Sequence, residues 1–572
     1  MAQKMKILML HTLTDLCETV KQHQKDDGKI VDNDGKFATG PQAIGSYYAT
    51  LYTYRHPDNK YYMDADILER AIKCMTYHTD MIDEKGEVAF YTYDQFWSRG
   101  VDAWSTLHLL NAIEMLRPHL PGDKLQVFET KLDYAIAGMR LRVQGLYGDK
   151  QYREHLDNHE VWNIFVWMVV LLLRYDLLKG NAENVAHYDN IMTEICAHQL
   201  PFGTWLEHGT LVVGYSHVTL GGLAMYSHYR ENKHEAVKKA CIANMEYLLK
   251  CYFCGTMSIS CFDIRNRTVK SSGSPFVPGA FLDTEIGAEF CSRHVRDLWQ
   301  HRTDMTDHLY SLMFFTFSFS TMQDDIPLVP ERPAADGTVY IDKTNAPIKG
   351  YSHRELNTLK VNKNGFVVPI CILTNKYVPH RWGYHRSNLF EVYHQKAGVI
   401  IGGGHSTADP DFATFNVIAK GISRYLHTDA KFINDLNFEL WYGENKCDVS
   451  IDIAENAVRV RYRAFFEGEE GEIERVIVNI PVITRNTKAV KIGAHVIDTG
   501  RLDYSGLKLD PGTAVITDNA QISCDRVITA KYPVCAFNSY MKEQNPTLDT
   551  AFMILSCELD YKRSEMNLEI RI

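Results

Sequence analysis

Apolar residues recur at three- and four-residue spacing through about the first 320 residues of the chain. The windows Val101–Arg117, Lys124–Arg142, His159–Leu178, Val185–His198, Val218–Tyr229, Glu235–Cys251 and Thr284–Leu298 each carry such a stripe and predict helices. Turn signals at Pro121-Gly122 and Gly180-Asn181 separate several of them. No fixed-period repeat accompanies the pattern. That disfavours TPR, HEAT and ankyrin arrays and leaves an α/α toroid or an α-solenoid.

The texture changes near Asp324. Ile326–Gly337 holds three prolines and a glycine and reads as a linker. Beyond it, period-two alternation and β-branched runs take over. Val449–Ile453, Ala457–Phe465, Glu474–Val482, Ala489–Val496 and Thr550–Leu559 predict strands of stacked antiparallel sheets. The expected fold class is therefore α+β with several domains: a helical domain over 1–322, a linker over 323–338 and an antiparallel β-sandwich over 339–572. A chain of 572 residues is too long for one ordinary core, which agrees.

Composition narrows the function. Charged residues are 23% and hydrophobic residues 45%, the profile of a globular protein. The net charge is −10, so no broad basic surface is available for nucleic acid. An anionic ligand would have to meet a local cluster of His, Arg and Asn. The 13 cysteines form no paired CxxC pattern at metal spacing, and a reducing compartment fits them. The first residues lack a signal h-region. This points to the cytoplasm for the chain as it stands, or to the periplasm or outside if a leader has been removed. The longest apolar run, Val166 to Leu173, is too short for a bilayer. Neither a membrane partner nor a cofactor is expected, and oligomeric state stays open.

Three short segments carry candidate chemistry. Phe202 to His217 places His208, Tyr215 and His217 among glycines at 203, 209 and 214, which permit close approach or positive φ. They are either ordinary polar turn residues or groups presented to a groove. His155 to Trp162 sets Asn158 and His159 ahead of a strongly apolar helix. There Asp157 or Asn158 is either a simple N-cap or, with His159, part of a carboxylate site at a helix N-terminus. Asp263 to Lys270 carries Arg265, Arg267 and Lys270, either solvated or clamping an acidic sugar. Asn, His, Tyr and Arg are the types that removal of a proton α to a uronate carboxylate requires. The carboxylate must be neutralised, a base must take the C5 proton, and an acid must protonate the leaving O4. Of Trp97, Trp104, Trp162 and Trp205, the motif-adjacent Trp205 is the best candidate for stacking on a sugar.

With these residues in view, the chain resembles polysaccharide lyases built from an α/α toroid followed by an antiparallel β-sandwich (supersandwich). Gly-Thr-Trp-Leu-Glu-His-Gly with the Tyr at 215 looks like the His- and Tyr-bearing segment of hyaluronate, chondroitin AC and xanthan lyases. Asp-Asn-His-x-x-Trp at 157–162 is similar to a helix start of toroid alginate lyases. Arg265-Asn-Arg-x-Val-Lys270 is a looser match to a chondroitin AC segment. The resemblance implies β-elimination on an acidic polysaccharide. Asn158 would hold the uronate carboxylate, and Tyr215 would be the main proton-transfer residue. His208 would assist as base or charge neutraliser. Arg267, with Arg265, would bind substrate and depress the tyrosine pKa. His159, Trp205 and His217 are substrate-binding candidates. In the second half, Arg381 to Arg386 and Gly402 to Ser406 resemble sandwich segments of heparinase II/III-like proteins and add His385 and His405. The metal pattern of those proteins is degraded here, around Asp409 and Asp411, so no metal is expected. Three rivals remain open: a uronate C5-epimerase, a toroid glycoside hydrolase using Glu207, Asp102 or Asp263, and a non-catalytic glycan-binding protein.

Overall fold

The computed structural model describes residues 4–207, 209–265, 274–306, 309–331, 335–352, 354–374, 388–403, 410–467, 472–485, 487–503, 505–537 and 547–572. The chain divides into two compact units. One comprises Met1–Glu207, Tyr215–Leu249 and Ser271–Arg332. The other comprises His208–Gly214, Lys250–Lys270 and Pro333–Ile572.

Twelve helices lie among the described residues. In chain order they are α1 Met5–His23, α2 Gly45–Thr53, α3 Ala65–Asp80, α4 Ala103–Leu116, α5 Gly122–Gly148, α6 Lys150–Asp157, α7 Asn163–Lys179, α8 Val185–Ala197, α9 Val213–Tyr229, α10 Glu235–Lys250, α11 Glu285–Gln300 and α12 Leu309–Thr321. Local chemistry fixes many of their ends. Asp64 caps α3 by accepting from the amides of Asp66 and Ile67, and Thr284 caps α11 by accepting from Gly287. Gly180 ends α7 in the left-handed conformation, φ 76°.

Helices apolar on one face and helices apolar all round play different parts. α3 buries a single stripe, Ile67, Ala71, Cys74, Met75 and His78. α7 buries every residue from Phe165 to Leu173, and α12 buries Leu312 to Phe319 without a break. These all-round helices form an inner row: α12 packs on α2, α2 on α4, and α4 on α7. Gly222 brings α9 against Val166 and Trp167 of α7, and the Trp167 indole N–H donates to the Val218 carbonyl at 3.0 Å. The first helix, α1, packs on α11 and α12, so the row closes as a toroid does. Aromatic rings fill its middle. Phe317 stacks on His108 at 3.7 Å and on Trp167 at 5.8 Å, and Phe314 meets Phe276 at 4.5 Å.

The helical unit is not helical throughout. Val88–Thr92 and Gln95–Gly100 form an antiparallel hairpin. Its two-residue loop, Tyr93 and Asp94, takes positive φ at both positions, which matches the twist of the strands.

Among the described residues, the second unit holds two antiparallel sheets. The nine-stranded sheet runs in the order Asp429–Asn434, Asn437–Tyr442, Asn445–Ile453, Ala457–Phe465, Glu565–Arg571, Gln521–Cys524, Val515–Ile516, Ala489–Ile492 and His495–Asp498. The other sheet is centred on Ile473–Ile483 beside Ala551–Leu559. Val458, Val460, Tyr462, Leu568 and Ile570 from the first sheet and Val476, Val478, Met553 and Leu555 from the second share one core. Their alternate residues face out, as the period-two pattern requires. One sequence window, Ala489–Val496, is two strands rather than one: the chain turns at Gly493, φ 56°. Among the described residues no helix is long and apolar enough to cross a membrane.

Candidate functional site

In the helical unit, α6 starts on Asp149, which accepts from the amides of Gln151 and Tyr152. It ends at Asn158, whose own amide donates to the carbonyls of Glu154 and His155. His159 then turns into the left-handed region, φ 62°. For a residue with a Cβ this costs about 1 kcal/mol or more. Two bonds hold it there: its amide donates to Leu156 at 2.8 Å, and its Nδ1 pairs with the His198 carbonyl at 2.9 Å. A carbonyl only accepts, so Nδ1 carries a proton and Nε2 is the nitrogen left to face a ligand.

This corrects one sequence expectation. Neither Asp157 nor Asn158 caps the apolar helix, because α7 begins only at Asn163. Asn158 and His159 occupy the turn between two helices, not a helix N-terminus. Asn163 was not singled out from sequence. It is buried, and its Nδ2 donates to Glu207 Oε2 at 3.5 Å.

The Phe202–His217 segment runs alongside this turn. Glu160 and Leu206 form a parallel bridge. Leu206 donates to the His159 carbonyl at 2.8 Å, and Val161 donates to the Leu206 carbonyl at 3.3 Å. Gly203, φ 95°, passes so close to the Ala243 carbonyl that a Cβ would collide with backbone. Trp205 is only 5% exposed, and its indole N–H donates to the Ile195 carbonyl at 2.9 Å. Its ring therefore anchors the segment to α8 and offers no face to a sugar. His217 is likewise interior. It is 8% exposed, lies 5.3 Å from His294 and 5.8 Å from Phe290, and burial pushes its pKa down to about 3.

Tyr215 is different. It is half-buried and stands third in α9, in the first turn, where amides lack helical partners and the dipole is positive. Its charge, with that of Asp102, helps raise the pKa of Tyr310 well above the usual phenol value, after burial as the main cause. Asp102, Tyr215 and Tyr310 are thus electrostatic neighbours. Asp102 is buried and its pKa is raised by that burial, although Ser105 Oγ and the Trp104 amide both donate to it. The aromatic candidates Trp104 and Trp162 pack on rings of their own unit: Trp104 on Tyr310 at 6.0 Å, and Trp162 on Tyr152 at 5.6 Å.

In the sandwich unit, Asp263 is 5% exposed and uses both carboxylate oxygens. Oδ2 accepts from the Gly214 amide and Oδ1 from the Arg265 amide, each at 2.8 Å. Gly214 is the residue bonded to Tyr215, so Asp263 satisfies one of the open amides at the start of α9. Asp411, from the degraded metal pattern, pairs with Lys531 at 3.2 Å. His208, Arg267, His385 and His405 lie outside the described residues, as does Asp409. Among the described residues no group of three or more His, Cys, Asp or Glu is placed to hold a metal ion.

No protein-family model matches this chain, and no curated protein does. Solved structures share its fold. Xanthan lyase from Paenibacillus is similar with a TM-score of 0.55 at 10% identity, over 99% of this chain and 57% of that one. Chondroitin AC lyase from Streptomyces coelicolor A3, in complex with chondroitin sulphate, is similar with a TM-score of 0.50 at 10% identity, over 99% of this chain and 79% of that one. The chain thus spans less than two thirds of the xanthan lyase. The likeness gives it the polysaccharide-lyase fold, a helical toroid followed by antiparallel β-sandwich sheets.

Proposed function

We propose that this chain is a polysaccharide lyase that cleaves a glycan containing uronic acid by β-elimination. The observation that supports this best is the backbone pairing of His159 with Leu206. It fixes the Asn158–His159 turn to the segment that leads into Tyr215, within a fold shared with polysaccharide lyases.

The chemistry follows from the groups. Asn158 donates to the uronate carboxylate and lowers the cost of carbanion character at C5. Tyr215, in the first turn of α9, takes the C5 proton. The C4=C5 double bond forms as C4–O4 breaks, and the proton passes to O4 of the leaving chain. Electrons and protons balance without an oxidant. His208 assists as base or neutralises charge, and Arg267 and Arg265 bind the acidic sugar. His159 presents Nε2 as an acceptor for a sugar hydroxyl.

Digestion in oxygen-18 water tests the reaction type. Elimination adds no solvent oxygen, so product oligosaccharides carry no label and end in an unsaturated uronate. Label at the new reducing end means hydrolysis. Solvent deuterium at C5 without chain cleavage means epimerisation.

A further inference from the structure

One carboxylate in the sandwich unit is wholly buried and gathers four donors. Glu391 Oε1 accepts from Ser260 Oγ, from the Cys261 amide at 3.0 Å and from the Gly403 amide at 3.0 Å; Oε2 accepts from the Ser260 amide at 3.2 Å. Gly402, φ 122°, leaves no room for a Cβ beside the Glu391 side chain. Burial pushes the carboxyl up to about 7 in spite of these bonds, so placing an anion there carries a cost in stability.

The same segment is held at two further points. Lys360, also buried, donates from Nζ to the Tyr252 carbonyl at 2.6 Å. Tyr393 stacks on Phe253 at 5.2 Å, and its hydroxyl lies 3.0 Å from Cys254 Sγ. A cation takes a carbonyl, a ring takes a ring, and an anion takes two amides. The tight turn Ser260–Phe262 then carries the position forward, since the Asp263 amide donates to the Ser260 carbonyl at 3.0 Å. Asp263 in turn holds the amides of Gly214 and Arg265.

We propose that Glu391 is a positioning residue: through Ser260 and Cys261 it sets Asp263, and so places the amides of Arg265 and of Gly214, the residue that precedes Tyr215 in the chain. It touches no substrate. The inference rests on the reading of Tyr215 and Arg265 as working residues of a lyase.

The test is Glu391→Gln, nearly the same shape, with one acceptor oxygen replaced by a donor that opposes the Ser260 amide. Ser260→Ala, which removes one donor and keeps the carboxylate, is the milder companion should the glutamine variant fail to fold. Hydrogen–deuterium exchange is followed at Ser260, Cys261 and Gly214, with kcat and KM on the best glycan. Expected are exchange faster by about 10-fold or more at those amides, and a kcat lower by about 10- to 100-fold, the usual cost of misplacement by a fraction of an ångström to an ångström. Adding Asp263→Asn to Glu391→Gln should cost little more, because both act through one path. Wild-type exchange at the three amides, or losses in kcat that simply multiply, would overturn the proposal. If the parent chain forms no unsaturated product from any glycan, the lyase reading fails, while exchange at Gly214 still decides whether Glu391 sets Asp263.

Discussion

The amide of Leu206 donates to the carbonyl of His159 at 2.8 Å, joining two segments 47 positions apart in the chain. One segment carries the Asn158–His159 turn and the other leads to Tyr215. The bond ties the carboxylate-binding candidate to the proton-transfer candidate through backbone, which is less mobile than any side-chain contact.

That turn makes a prediction about His159 itself. His159→Gly and His159→Ala both lose the bond to the His198 carbonyl, but only glycine is at ease at φ 62°. Thermal or denaturant unfolding should find the alanine variant less stable than the glycine variant by about 1 kcal/mol. Equal stabilities would mean the turn relaxes when the imidazole is removed.

Glycines of the Phe202–His217 segment should divide sharply. Gly203→Ala drives a Cβ into the Ala243 backbone at φ 95° and should lower stability by about 3 kcal/mol or more. Gly214→Ala meets Asp263 Oδ2 only at ordinary contact distance, 3.5 Å, and should change stability by less than about 1 kcal/mol. Comparing the two melting curves checks this.

Acid should weaken the helical unit before it affects any exposed ion pair. His78 and His217 are pushed down by burial to about 4 and about 3, and His108 and His294 fall well below the usual value for the same reason. The amide of Ser274 donates to His294 Nδ1 at 2.7 Å, which requires that nitrogen to be unprotonated. These imidazoles take up protons in the unfolded chain near pH 6.5 but not in the folded one. Stability is therefore full above about pH 6.5 and falls below it, by about 1.4 kcal/mol per histidine per pH unit, until each folded pKa is reached. Glu391, between its unfolded value and about 7, and the buried Asp102 and Asp342, also raised by burial, work in the opposite sense. The melting temperature should be level from pH 7 to 8 and drop steeply from 6.5 to 5, less steeply in His78→Gln. A level profile down to pH 5 would contradict it.

Much of this was legible in the chain, and the exceptions have physical causes. The windows over α4, α8, α10 and α11 were found almost to the residue, because each has an apolar stripe and a capped or punctuated end. α1 escaped notice. His11 interrupts its apolar run yet lies partly exposed on the helix, where a polar residue does no harm. The hairpin at Val88–Gly100 was missed because a two-residue Tyr-Asp loop is not the usual glycine-bearing turn signal. The candidate segments were singled out from residue type. Their pairing was not, since contact between residues 159 and 206 is set by tertiary packing. Trp205 was misjudged for the same reason: sequence places it beside the motif, but only packing decides that its ring faces α8. Asn163 and Tyr310 carry no local signal and emerge only from proximity.

Glu207 separates two reactions. Its Oε2 accepts from Asn163, and a lyase needs it for placement at most. Glu207→Gln should keep activity within about 10-fold of the parent, whereas a hydrolase working through this carboxyl, with two opposed carboxylates, would lose about 1,000-fold or more. Initial rates on a common substrate decide between them.

The central claim is elimination driven by Tyr215, and the most direct measurement is absorbance in the band of a C4–C5 unsaturated uronate. The protein is incubated with a panel of uronic-acid polysaccharides, beside Tyr215→Phe. A rise with at least one glycan, reduced by about 1,000-fold or more in the phenylalanine variant, is expected. New reducing ends without that absorbance, or equal rates in the two proteins, would contradict it.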